Sequence, residues 1–172
     1  MSARTPHIGG MMESRRTFLA TIGFGAVAAT LGCAPGESRA AEKFEVSMSD
    51  AEWRKKLGAE RYHILREGGT EWAGTSPLLK EHRAGTFLCA GCALPLFSST
   101  TKFESGTGWP SFWAPLPHAV ITRYNNTLGM DRTEVRCRRC GGHLGHVFDD
   151  GPKPTGKRYC MNGLALTFQP KG

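Results

Sequence analysis

Two Cys-x-x-Cys pairs constrain this chain more than anything else in it. Cys89 and Cys92 form the first, Cys137 and Cys140 the second, with 44 residues between them. Two such turns brought together offer four thiolates in a tetrahedron, the ligand set of a closed, structural Zn²⁺ site. The fold must therefore carry two distant turns to one point. A disulfide oxidoreductase would instead use a Cys-x-x-Cys as a redox pair, but four thiols at zinc spacing argue against it. Of the six cysteines, two remain. Cys33 lies in an apolar leader. Cys160 stands in Arg158-Tyr159-Cys160-Met161-Asn162, free to be a nucleophile.

The leader bears on the compartment. Ser14-Arg15-Arg16-Thr17-Phe18-Leu19 precedes an Ala- and Gly-rich apolar run from Ala20 to Leu31. Paired arginines before such a run are the pattern of twin-arginine export, which implies the twin-arginine translocase as a partner. The run is too short, and too poor in Leu and Ile, for a good membrane span. Ser38 and Ala40 suit cleavage after Ala40 and release as a soluble protein. Thr30-Leu31-Gly32-Cys33 offers the alternative of a lipid anchor on Cys33. Either way the expected location is periplasmic or otherwise extracytoplasmic. Met11 or Met12 also serves as a start, since residues 1–10 add nothing that a signal needs. The expected division is a signal over 1–40, a polar linker over 41–48 and one domain over 49–172.

From residue 41 onward there are 18 Lys and Arg against 13 Asp and Glu, an excess of five positive charges. Only Arg136, Arg138 and Arg139 cluster, around the second knuckle. A zinc-ribbon nucleic-acid binder would account for the knuckles and the charge. It would leave Cys160 idle and conflict with export, so the reading is solvated surface charge and no nucleic acid. Ser49-Asp50-Ala51-Glu52 predicts a capping box and a helix near 50–57, broken at Gly58. A second helix over Glu60–Glu67 closes at Gly68-Gly69. Beyond Gly85, short runs rich in β-branched and aromatic residues predict strands. They are Thr86–Leu88, Leu94–Phe97, Ala119–Tyr124, Thr133–Cys137, His146–Phe148 and Leu164–Phe168, with Asn125-Asn126 as a hairpin turn. The expected class is mainly β, antiparallel, with helices at the N-terminal edge. A metal staple would reinforce so thin a core.

Three segments then line up. Gly108-Trp109-Pro110-Ser111-Phe112, His143-Leu144-Gly145-His146-Val147-Phe148-Asp149-Asp150-Gly151-Pro152 and Arg158-Tyr159-Cys160-Met161-Asn162 resemble the B-type peptide-methionine (R)-S-oxide reductases. The likeness runs in order from about Glu52 to Phe168. It implies two antiparallel β-sheets in a tent-like arrangement, one structural zinc, and reduction of the R epimer of methionine sulfoxide in proteins by a cysteine. A role in repairing oxidised exported proteins follows, with the chain acting as a monomer.

Sulfoxide sulfur becomes electrophilic when its oxygen is protonated or strongly hydrogen-bonded. The site therefore needs a thiolate, a proton donor and a slot for the methyl group. Cys160 supplies the thiolate, and Arg158, two residues earlier on a regular strand, favours it by charge. His143 and His146, with Asp150 to orient them, are the expected donors. By resemblance, Asn162 joins them around the sulfoxide oxygen. Trp109 is expected as the methyl wall, with Phe148 beside it in the substrate site. The products are methionine and a sulfenic acid on Cys160. Blander readings stand beside these: Trp109 as core packing, Asp149 and Asp150 as turn residues, Arg158 as a surface ion pair. The chain departs from many relatives in having Thr107 where they carry a resolving cysteine, and Gly163 where they often have Ser. The sulfenic acid is therefore expected to need an external thiol reductant, thioredoxin-like or other.

Overall fold

The computed structural model describes residues 42–125 and 132–172. The leader with Cys33 and the expected turn at Asn126 lie outside the described residues. No helix among them is long and apolar enough to cross a membrane.

Helix α1 spans Asp50–Glu67 and begins as its sequence dictates. The Glu52 carboxyl accepts the Ser49 N–H at 2.8 Å, while Ser49 Oγ accepts the Glu52 N–H at 3.4 Å. This reciprocal pair satisfies donors that a helix start leaves orphaned. At Gly58 the backbone leaves the helical region (φ 71°, ψ 170°), so α1 is two helical segments meeting at a kink. Gly68, left-handed at φ 72°, ends it, with its N–H on the His63 carbonyl. Trp53 and Leu57 before the kink, and Tyr62, Ile64 and Leu65 after it, turn inward and are buried.

Nine strands follow among the described residues: β1 Gly85–Cys89, β2 Pro95–Ser98, β3 Lys102–Phe103, β4 Ser111–Phe112, β5 Val120–Asn125, β6 Arg132–Cys137, β7 His143–Phe148, β8 Arg158–Met161 and β9 Leu166–Pro170. They form two antiparallel sheets, ordered β2-β1-β9 and β3-β4-β8-β7-β6-β5. The sheets meet through aromatic rings. Phe112 of β4 stacks on Phe97 of β2 with centroids 4.4 Å apart, and meets Phe87 of β1 edge-on at 4.9 Å. Each of the three is fully buried, which stabilises the fold by roughly 1.5–3 kcal/mol apiece. The mainly β, two-sheet expectation holds. The six expected strand runs all lie in or across strands, although the Leu164 run starts as a 3₁₀ turn over Gly163–Ala165.

Two features depart from the sequence reading. The arginines around the second knuckle are not merely solvated. Arg136 Nε donates to the Gly141 carbonyl at 2.8 Å, Arg138 Nε to that of His118 at 2.6 Å, and Arg139 Nη1 to that of Cys92 at 3.4 Å. Each guanidinium holds a carbonyl that the tight turns leave without a strand partner. The other departure is a β-bulge between β6 and β7. Val135 faces Gly145 but the next residue, Arg136, faces His143, so Leu144 is the extra residue. Residues 42–48 also lie along this end of the domain. The Val46 N–H bonds the Arg139 carbonyl at 3.0 Å, and the Phe44 ring packs under Arg136.

Candidate active site and metal centre

The knuckles sit at the ends of β1 and β6, one strand from each sheet. Both turns close alike: the N–H of Ala93 bonds the Cys89 carbonyl at 2.8 Å, and that of Gly141 bonds the Cys137 carbonyl at 2.9 Å. Ala93 and Gly141 both take positive φ, 57° and 68°. The four sulfurs of Cys89, Cys92, Cys137 and Cys140 lie within 4.8 Å of one another. Cys89 and Cys140 stand 3.7 Å apart, Cys92 and Cys137 3.5 Å. A disulfide needs about 2.05 Å, whereas sulfurs around a tetrahedral ion with bonds of about 2.3 Å stand roughly 3.8 Å apart. These residues fit a metal ion. Hydrogen bonds within the cluster lower Cys92 and Cys140, that with Cys137 foremost, and raise Cys89 and Cys137, so the four thiols share their protons as one tightly coupled group.

The second centre is built by strand register. His146 of β7 pairs directly with Cys160 of β8, Phe148 with Arg158, and Ser111 of β4 with Cys160 from the other side. Directly opposed residues share a face, so Cys160, His146, Phe148, Arg158 and Ser111 point the same way. Tyr159 and Met161 alternate to the other face, where Met161 is fully buried in the core. The bulge settles the histidines. Residues three apart on a regular strand face opposite ways. The extra residue Leu144 brings His143 onto the face of His146, with ring centroids 5.3 Å apart. Gly145 lies between them because a Cβ there would run into the Cys160 carbonyl.

A cavity of about 170 Å³ opens on this face, lined by Thr70, Trp109, Arg132, Gly145, His146, Phe148, Cys160 and Asn162. His143 and Asp150 do not line it. Asp150, expected to orient the histidines, instead grips Arg158 through a fork of 2.8 and 2.7 Å. That fork raises Arg158 above its ordinary value, followed by a contribution from Cys160 itself, and the guanidinium lies 4.4 Å over the Phe148 ring. The carboxyl that orients a histidine is Glu134, 2.8 Å from His143 Nδ1. Burial pushes the Glu134 carboxyl up, but the bond to His143 and the charges of His143, Arg136 and Arg123 outweigh it, leaving it lowered. His143 Nε2 is buried without a protein partner. Burial, then the charges of His143 and Arg132, lower His146 below its usual 6.5 against the pull of Glu134. Both effects favour the neutral imidazole.

Glu71, which sequence reasoning passed over, organises the back wall. Its carboxyl oxygens accept the Gly163 and Leu164 N–H groups at 2.5 and 2.9 Å. Its backbone N–H donates to Asn162 Oδ1 at 3.0 Å, and its carbonyl accepts Trp109 Nε1 at 3.2 Å. Asn162 Nδ2 in turn donates to the carbonyl of the bulged Leu144 at 3.2 Å. Gly163 also has no room for more: a Cβ would strike Ser76 Oγ. Thr107 lies beside the nucleophile candidate, its Oγ1 3.7 Å from Cys160 Sγ.

Comparison with known proteins agrees with this architecture. The model of the SelR domain matches residues 57–170. The chain belongs to the SelR-domain family. A protein of Leptospira interrogans named peptide methionine sulfoxide reductase MsrB is 54% identical over 127 residues, 73% of this chain and 97% of the relative. An Agrobacterium fabrum protein of that name is 54% identical over 127 residues, 73% of this chain and 94% of its own length. The Arabidopsis thaliana protein named peptide methionine sulfoxide reductase B1, chloroplastic, is 49% identical over 134 residues, 77% of this chain and 66% of that protein. The matched span takes in both SelR-domain knuckles and all eight residues of the cavity.

Glu71→Gln is expected to destabilise the domain by about 1–3 kcal/mol, because the amide's NH₂ would face a backbone N–H that loses its acceptor. Urea unfolding measures it, and an unchanged midpoint would show that Gly163 and Leu164 have other acceptors.

Proposed function

We propose that this chain is a peptide-methionine (R)-S-oxide reductase that acts through Cys160. The observation that carries the reading is Cys160 in a cavity of about 170 Å³ lined by the Trp109 indole and by the imidazole of its register partner His146. Trp109, pinned by its Nε1 to the Glu71 carbonyl, offers a flat apolar surface for a methyl group. His146, neutral, donates one N–H toward the sulfoxide oxygen. Arg158, held charged by Asp150, favours negative charge on Cys160. Glu134 holds His143 behind His146 and so fixes the face on which the oxygen is received.

In the reaction, Cys160 gives two electrons to the sulfoxide sulfur and takes its oxygen. The thiol and methionine sulfoxide become a sulfenic acid on Cys160 and methionine, with no other atom gained or lost. The oxygen and methyl sites lie on different walls, so an S epimer placing its oxygen at His146 would press its methyl away from Trp109. Purified protein is expected to reduce the R epimer of a methionine-sulfoxide peptide, leave the S epimer, and carry one dimedone adduct on Cys160 after a single turnover. Equal use of both epimers, or activity surviving Cys160→Ser, would sink the reading. With Thr107 beside it in place of a thiol, the sulfenic acid is then met by an external thiol.

We further infer that the ion held by the four cysteines is zinc. When bound by four thiolates it supplies a cross-link between the sheets and has no open position. Since binding energy at such a site is folding energy, one zinc per chain is expected, and stripping it with a strong chelator should abolish the native circular dichroism. A zinc-free protein with an unchanged melting temperature would contradict this.

Arg15, Arg16 and the apolar run support export by the twin-arginine route, and a role in repairing proteins outside the cytoplasm. That route carries folded proteins, so the four thiols can close around zinc before meeting an oxidising compartment. Replacing Arg15 and Arg16 by Lys is expected to leave zinc-loaded, active protein inside the cell. Undiminished export would refute the assignment.

A further inference from the structure

A row of hydroxyls runs inward from Cys160 and takes no part in the chemistry described so far. Thr107 Oγ1 is 3.7 Å from Cys160 Sγ, Ser105 Oγ is 2.8 Å from Thr107 Oγ1, and Ser111 Oγ is 2.7 Å from Ser105 Oγ. Ser111 Oγ donates to the Trp109 carbonyl at 3.1 Å. Ser111 is almost wholly buried and is the register partner of Cys160, so its backbone cannot drift from the sulfur. We propose that Thr107, Ser105 and Ser111 form a reversible hydroxyl relay that positions a hydrogen-bond donor on the Cys160 thiolate, with Thr107 giving that bond and Ser111 opposing it. The proposal rests on Cys160 being the nucleophile.

The proton inventory dictates the reversal, because each hydroxyl has one proton to give. With Cys160 as a thiol, every arrow points inward: the S–H donates to Thr107, Thr107 to Ser105, Ser105 to Ser111, and Ser111 to the Trp109 carbonyl. That carbonyl cannot accept a proton outright, so the row transmits orientation and not protons. When Cys160 ionises, its proton leaves to solvent and the sulfur becomes an acceptor only. Thr107 then turns to donate to sulfur, Ser105 to Thr107, and Ser111 to Ser105. Three hydroxyls rotate, and no heavy atom moves. Ionisation gains a charge-assisted bond at sulfur and loses the bond from Ser111 to the Trp109 carbonyl. Thr107 therefore favours the thiolate, while Ser111 restrains it.

Opposite signs make this testable. The charged and titratable groups that face Cys160 are Arg158 with Asp150 behind it, His146 with Glu134 and His143 behind it, and Arg132 at the cavity wall. None of them changes in the variants below. Alkylation of Cys160 by iodoacetamide is followed by peptide mass spectrometry, and the rate at pH 5.5 is divided by the rate at pH 10 to cancel accessibility. In Thr107→Val the ratio is expected to fall at least about two-fold, and Thr107→Ser should restore it, since a bond to a charged group contributes about 1.5 kcal/mol or more and the bond lost at the Trp109 carbonyl about 1 kcal/mol. In Ser111→Ala it is expected to rise about three- to five-fold, because ionisation no longer breaks a bond of about 1 kcal/mol. General damage to the site would move both ratios in the same direction. A fall in both variants, or no change in Thr107→Val, overturns the relay. Loss of sulfoxide reduction in Cys160→Ser, measured alongside, tests the nucleophile separately, so the two failures are distinguishable.

Discussion

Everything else in the domain is referred to the four-sulfur cluster. Cys89 ends β1 in the small sheet and Cys137 ends β6 in the large one, so closing the cluster fixes the distance between the sheets. The helix is laid across it. Trp53 approaches Gly91 in the first knuckle, Leu65 presses on Gly142 after the second, and Arg66 donates to the Cys140 carbonyl at 3.0 Å. Arg136 and Arg139 hold two more carbonyls of the same turns. Four thiolates around a divalent ion would keep a net negative charge, which the three guanidiniums would offset. The second knuckle also hands the chain to the active strand. Only Gly141 and Gly142 separate Cys140 from His143, so the cluster sets where β7 starts, and the bulge at Leu144 sets which way its histidines face.

Local features were legible, and non-local ones were not. Ser49 with Glu52, Gly58, Gly68 and the two knuckles are written within a few residues of one another, and each appears where the spacing puts it. Strands β3 and β4 have two residues each, too short for alternation to show. They exist because Phe112 is drawn between Phe87 and Phe97, a contact between residues far apart in sequence. The bulge was invisible for the same reason, since it is a mismatch between two strands and not a property of either. That is why His143 and His146 could be paired from their motif while the carboxyl that serves them was assigned wrongly. Asp150 is near in sequence. Glu134 is near in space, across the ladder opposite His146. Glu71 carried no local signal at all: it is one acidic residue in a loop whose partners are about ninety residues away.

The cavity divides into a fixed half and a chargeable half. Trp109 and Asn162 belong to the first. Both are tied to Glu71, Asn162 is almost wholly buried, and its amide braces Glu71 and Leu144. Such a wall suits shape selection, because a rigid indole cannot yield to a misplaced methyl. The other half holds Cys160, His146 and Arg158, where protonation and charge change during the proposed reaction. Asp150 is exposed and can relax around Arg158, while Glu134 and His143 lie deeper and set the polarity behind His146. Placing stiffness on one side and titratable groups on the other lets the site discriminate geometry without freezing its electrostatics.

Thr107 has a consequence for the order of events in the proposed cycle. Its hydroxyl occupies the place beside Cys160 from which an internal thiol would attack, and the other described cysteines all belong to the metal cluster. In the proposed cycle an incoming thiol therefore reaches the oxidised sulfur through the cavity that Cys160 lines. Substrate in that cycle binds over the same sulfur, so the sulfenic acid stays occluded while methionine remains in the cavity. Methionine must leave before the reductant enters, so the two half-reactions are forced into alternation and each substrate excludes the other. Turnover then depends on how quickly an external thiol finds a half-buried sulfenic acid. That dependence favours small or extended reductants over any whose thiol sits in a deep recess of its own.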